Sequence, residues 1–438
     1  MSEPEILDSN ARHERGCGQE ARSLRRNFSL LTLYQVMMRT GWIFKTESII
    51  MPAVLDVMGG NALLRGCLPM LNRFGQSLPP LLASDHIRQM RQKKWILAVC
   101  AGVMGFCFVS LSLAWHWDSS SPSGWLPTAF LGIYGIFFIF VGLHNLSMSL
   151  MYGKLIPVTQ RGRLMLVSMT LGCGLAVFCS WFLLRGWLDQ STGRFELIFL
   201  FTGVAFLLSA LLACLLKEEA DVPTAETQKI RQVFRRSWAT LRTDRNFRTL
   251  VMIAALFGMS MTLFPHYQAL ARGRLDVGLK AMVPWLIAQN IGAAGFSIPL
   301  GWLADRYGNR LVLQLQMLLL TFAPVFAIWF ANISDGDQWF LLVFGLLGLS
   351  PVIMRTLSNY TLEIAEPEQQ PRYLSTMSVC MAVPVIVTSS LVGLMVQRLG
   401  FEPAFYVVIA AVFIGWLLTL SLEEPRHSLS QKSPEADG

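Results

Sequence analysis

Gly301-Trp302-Leu303-Ala304-Asp305-Arg306-Tyr307-Gly308-Asn309-Arg310 stands between two long apolar runs. Its glycines let the backbone reverse and neighbouring helices approach. Its acid and arginines gather where lipid headgroups or a helix end can satisfy them. A charged decapeptide so placed reads as a tight cytoplasmic turn between membrane helices.

Composition agrees. Of 438 residues, 53% are apolar and only 15% charged, and a water-soluble globule needs a larger polar shell. The expectation is an all-α membrane protein. Of the eight cysteines, Cys67, Cys100, Cys107, Cys173, Cys179, Cys214 and Cys380 fall within apolar runs without Cys-x-x-Cys spacing, and read as small packing residues. Residues 1–27 are polar and basic and show no secretory signal, so the first helix is expected to direct insertion.

Against a span of ~20 residues, apolar runs occur near 29–57, 62–84, 95–115, 125–150, 164–184, 196–216, 247–270, 281–301, 311–331, 338–362, 373–397 and 404–422. This predicts twelve transmembrane helices with both termini on one side. The tails and alternate loops on that side hold 24 Lys and Arg; the opposite loops hold 6, at Arg185, Arg194, Arg272, Arg274, Lys280 and Arg398. Both termini are therefore expected in the cytoplasm. The net charge of +8 follows from topology and anionic lipid, with no nucleic-acid partner invoked.

The longest polar break, 217–246, divides a cytoplasmic tail (1–27) and six helices (28–216) from six helices (247–422) and a second tail (423–438). Within the break, Ile230, Val233, Phe234, Trp238 and Leu241 recur at helical steps. That pattern fits an amphipathic helix on the membrane surface and equally a solvated linker helix.

The pattern Gly-x-x-x-Asp-Arg-x-Gly-x-Arg over 301–310 resembles the signature loop of the major facilitator superfamily, the twelve-helix secondary transporters. Pro157-x-x-x-Arg161-Gly162-Arg163 is similar to the segment opening that family's fifth helix, and Pro367 lies 210 positions further on. The first-half counterpart, Asp85 to Lys94, keeps the charges and lacks both glycines. The resemblance covers residues 28–422 and implies two pseudo-symmetric six-helix bundles, alternating access and a monomer in the inner membrane without cofactor or metal. It also implies a gating motif of Gly301, Asp305, Arg306, Gly308 and Arg310, with Asp305 meeting the start of the fifth helix near Arg161 and Arg163. A plain topogenic hairpin is the alternative.

Charge within a span costs roughly 2.5–3.5 kcal/mol at its centre, so each instance needs a reason. On an unbroken first helix Gln35, Arg39, Thr46 and Glu47 share one sector, and Lys45 points elsewhere. The second helix carries Arg65, Asn72, Arg73 and Gln76. Further polar candidates are His144 and Asn145, His266, Gln289 and Asn290, and Arg355 and Asn359. Because helices 1, 4, 7 and 10 line the cavity in the superfamily, Arg39, His144, His266 and Arg355 are the first candidates for substrate contact.

The excess of buried cations leans toward an organic anion, a phosphate-bearing metabolite or an amphiphile. Pairing of Arg39 with Glu47 would remove much of that excess. Glu47 is expected to be either a protonatable coupling group or a permanent ion-pair brace. Enzymatic chemistry lacks a motif here: the histidines at 13, 86, 116, 144, 266 and 427 are scattered. The remaining alternatives are a proton-coupled exporter of drugs or lipids, and a non-transporting receptor or scaffold of the same fold.

Overall fold

A computed structural model describes residues 3–118, 124–189, 193–221 and 230–424. Ten of its helical stretches are long and apolar enough to cross a bilayer. The two expected spans outside that set are helical but carry charges. The first is α1 (Glu3–Phe44) followed by α2 (Ile50–Val57), holding Arg39, Lys45, Glu47 and Asp56 in and around a break; the second is α3 (Ala62–Gln89), holding Arg65 and Arg73. The protein is an all-α, multi-pass membrane protein.

The rest of the first half comprises α4 (Lys94–Asp118), α5 (Leu126–Leu155), α6 (Val158–Cys179) and α8 (Phe195–Cys214). A π-turn at Ser180–Leu184 and the short α7 (Arg185–Trp187) extend α6. After α9 (Ile230–Thr243), the second half contains α10 (Arg245–Met261), α11 (Phe264–Leu275), α12 (Met282–Tyr307), α13 (Asn309–Phe330), α14 (Gly336–Leu347), α15 (Ser350–Ile364), α16 (Gln370–Leu399) and α17 (Phe401–Thr419).

Three spans break in mid-course, and proline accounts for each. A proline lacks an N–H and crowds the carbonyl four residues earlier. Pro265 follows the end of α10 at Met261 by four residues, and Pro351 so follows the end of α14 at Leu347. Pro52 stands in the same relation to Ser48, within the α1–α2 break. The first and seventh spans, equivalent in the two halves, are thus both discontinuous.

Packing repeats between halves as well. A Cβ on Gly142 would strike Gly75 O where α5 crosses α3, and one on Gly292 would strike Gly345 O where α12 crosses α14. Only glycine permits that approach at either crossing. Aromatic rings fill the first half, with Phe108 edge-on to Phe137 at 5.0 Å; in the second half Trp285 stacks on Phe344 at 5.0 Å.

The linker divides its allegiance. Glu218 accepts from the backbone N–H groups of Lys93 (3.0 Å) and Lys94 (2.7 Å) at the start of α4, and pairs with Lys154 at 2.9 Å. This places a carboxylate on a helix N-terminus. Asp221 pairs with Lys93 and Lys154, whose hydrogen bonds hold its carboxyl below the ordinary value. Residues 217–221 therefore belong to the first half. The α9 helix packs on α10 and α16 of the second, with Leu241 turned toward the core and Trp238 exposed. The side chains of Ile230, Val233 and Phe234, and the tail beyond 424, lie outside the described residues.

Candidate functional site

The α1–α2 break sets the geometry of the site. Where an unbroken helix would turn Lys45 away, the break folds it inward: Lys45 is fully buried and its Nζ donates to Glu47 Oε1 at 2.6 Å. The ammonium also lies 3.5 Å from the centre of the Trp42 ring and 4.7 Å from that of Phe138. Glu47 thus pairs with Lys45. Its other oxygen accepts from Asn72 Nδ2.

A polar chain continues from there through the first half. Gln76 donates to Asn72, and Asn145 Nδ2 donates to Gln76 Oε1 at 3.4 Å. His144 lies 3.3 Å from Asn145 Oδ1 through Nδ1 and 2.7 Å from the Tyr34 hydroxyl through Nε2. With Nδ1 protonated, the neutral ring donates to Asn145 and accepts from Tyr34, the tautomer its partners favour. Three spans of one half are thereby wired to one carboxylate.

Arg39 packs its aliphatic stem against Gly172 of α6, and its Nε is buried without a partner among the described residues. In the second span, Arg73 reaches across to the other half: Nη2 lies 2.6 Å from Met261 Sδ and 3.8 Å from Met354 Sδ. On α15, Val352, Ile353, Thr356 and Leu357 are buried, whereas Arg355, Ser358 and Asn359 are exposed. Met354, half-buried at the edge of that exposed face, is the α15 residue that touches Arg73. Asn290 bonds to its own helix at Leu286 O.

Other contacts between halves lie toward the end of the molecule opposite the termini. Ser48 donates to Gln289 Oε1 at 2.7 Å, and Gln268 Nε2 to Asp56 Oδ2 at 3.0 Å, while Asp56 also pairs with Arg65. Lys280 binds Asp189 at 2.6 Å and holds that carboxyl below its ordinary value. A Cβ on Gly66 of α3 would come within 2.6 Å of Ser389 O on α16. His266 is fully buried beside this seal, near Arg65, and neither ring nitrogen has a partner among the described residues. It is packed, not displayed on a chamber wall.

At the termini end, Arg161 donates to Ile156 O (3.0 Å) and Gly153 O (2.9 Å) within its own half. Arg310 donates to Leu420 O at 3.0 Å and Asn309 to Glu363 at 3.0 Å, both within the second half. Gly308 turns at φ 87°, and Arg306 lies over Trp302 and Tyr307. Asp305, Arg163 and Gly301 are exposed. A Cβ on Gly162 or Gly301 would meet nothing within 4 Å. The arrangement is a polar interior sealed at the far end.

Sequence reading left out Tyr34 and Ser48, the thioether partners of Arg73, and the pairing of Asp189 with Lys280. One signal was available for Lys45: Tyr134, Phe137 and Phe138 recur at three- and four-residue steps on α5, a spacing that assembles one aromatic face.

Residues 274–437 match the sequence model of the Major Facilitator Superfamily. No curated protein matches the chain. Among solved structures, a mutant of the nucleoside transporter NupG aligns with TM-score 0.70 and 11% identity, covering 92% of this chain and 100% of that one. A bacterial homologue of the human lysosomal transporter Spinster, inward-facing and unoccupied, gives 0.61 and 11%, covering 95% and 99%. The fucose:proton symporter FucP of E. coli gives 0.57 and 15%, covering 91% and 98%. At these identities the likeness shows a shared fold.

Proposed function

We propose that this major facilitator superfamily protein is a secondary active transporter that moves a small solute across the cytoplasmic membrane by alternating access, with both termini in the cytoplasm. The two bundles, 28–216 and 247–422, rock about a chamber at mid-depth. In this scheme the halves meet at the outer end of the chamber, the state closed to the outside. One observation carries the reading: the cross-half contacts run from mid-depth to the far end, above a charged interior centred on Glu47. A sealed face over a polar interior is one of the two states such a cycle needs.

Glu47 is the coupling group in this scheme. It is a carboxylate near mid-span, held by Lys45 and Asn72, and its proton occupancy changes the charge of the chamber. FucP, a fucose:proton symporter of the same fold, supports this choice. Asp305 and Arg161 belong to the opposite state, in which the signature loop closes on the N-terminus of α6.

Purified protein in liposomes tests the proposal. Under an imposed proton gradient it should accumulate a solute from a chemically diverse set. Glu47→Gln should abolish accumulation while retaining solute exchange. Gradient-driven accumulation that survives Glu47→Gln would remove Glu47 from the coupling step, and inert liposomes across the set would remove transport itself.

A further inference from the structure

Among the described residues, no carboxylate is in direct contact with Arg73. Its guanidinium rests on the sulfurs of Met261 and Met354, and thioethers are weak acceptors for a group that prefers the paired oxygens of a carboxylate or phosphate. The charge of Glu47 faces it, although both Glu47 oxygens are engaged by Lys45 and Asn72. The next residue after Met354 is Arg355, a second cation, exposed on α15.

We infer that Arg73 is shared between Glu47 and a small water-soluble oxyanion, with Arg355 as the second arm, so that a proton on Glu47 releases Arg73 to the anion. This rests on the transporter reading and names its substrate class. Ionised Glu47 attracts Arg73 and repels an incoming anion; protonated Glu47 does neither. Lys45 and Tyr134 also face Glu47, and His144 connects to it through Asn145, Gln76 and Asn72. The aromatic cage stabilises the Lys45 ammonium when its counterion is neutralised. Proton and anion therefore bind with positive coupling, each tightening the other by the same factor.

The test uses full-length protein in detergent, with thermal midpoints titrated by inorganic phosphate, succinate, short-chain phosphatidic acid or glucose at about pH 5.5 and about pH 7.5. Phosphate or succinate should stabilise the protein, with apparent affinity rising by up to about tenfold for each unit of acidification. Arg73→Gln should lose the response, and Glu47→Gln should bind tightly at both pH values. Met261→Leu, close in volume, removes the nearer of the two thioethers and should bind the anion more tightly. It decides the matter if Arg73→Gln does not fold.

Unchanged affinity in Arg73→Gln, a persisting pH dependence in Glu47→Gln, or a response to phosphatidic acid or glucose alone overturns the inference; so does silence to both oxyanions in the wild type. Gradient-driven uptake of a neutral solute would do so while leaving transport standing. Anion binding without any flux in liposomes would do the reverse.

Discussion

Lys45 Nζ lies 2.6 Å from Glu47 Oε1 and 3.5 Å from the centre of the Trp42 ring, with no side-chain surface exposed. One residue thereby ties the α1–α2 break to both a carboxylate and an aromatic core. Removing one member of such a pair leaves the other charge stranded, at a cost of about 3–5 kcal/mol. Lys45→Met should lower the thermal midpoint markedly, and adding Glu47→Gln should recover much of the loss. A double mutant no more stable than Lys45→Met would show that the aromatic contacts, not the ion pair, dominate.

Gly66 and Gly393 bring α3 and α16 together at the far end, where a Cβ on Gly66 would also lie 2.9 Å from Gly393 Cα. Backbone stands in the way, so the helices must separate. Gly66→Leu should cost roughly 1–3 kcal/mol as overpacking and raise the labelling rate of a cysteine introduced beneath the seal. Unaltered labelling would mean that this crossing does not hold the outer face shut.

The Asp189 and Lys280 pair joins the halves in loops beyond the spans. Its hydrogen bond holds the Asp189 carboxyl low, so the sign is that of a depressed acid. The contact favours the closed outer face above the free carboxylate value, about 3.9, and the preference is lost as pH falls through the lowered one. Acidification and Asp189→Asn should therefore shift a spin-label distance distribution across the outer face toward longer separations. In Asp189→Asn the acid-induced part of the shift should shrink; an equal shift in the variant would locate the titrating group elsewhere.

Asp305 is exposed at the end of α12, and its proposed partner is the N-terminus of α6 in the alternate state. Such a contact is worth roughly 0.3–1 kcal/mol at an exposed site. Asp305→Asn should slow the return of the inward-open form and reduce flux severalfold without changing the thermal midpoint. Normal flux would reduce the motif to a topogenic turn.

Much of the architecture was legible because a span needs ~20 apolar residues and little else in a chain this apolar competes with that signal. The charged first and second spans were legible for the opposite reason: Arg39, Lys45, Glu47, Arg65 and Arg73 are too costly to be incidental. Periodicity failed at Lys45, since it presumes continuous rotation and the break over 45–49 resets it. Pro52 marked that break no less than Pro265 marked the one in the seventh span. The partners of Arg73 and Asp189 stayed hidden because residues separated by 188 and 91 positions meet only through the packing of the halves.

The linker has a mechanical consequence. Its opening residues are fastened to α4 through Glu218, and α9 rides on α10 and α16. Nine residue steps join Asp221 to Ile230, and covalent geometry limits their span to roughly 30–32 Å. The chain carries its own tether, and its length caps how widely the cytoplasmic mouth can gape.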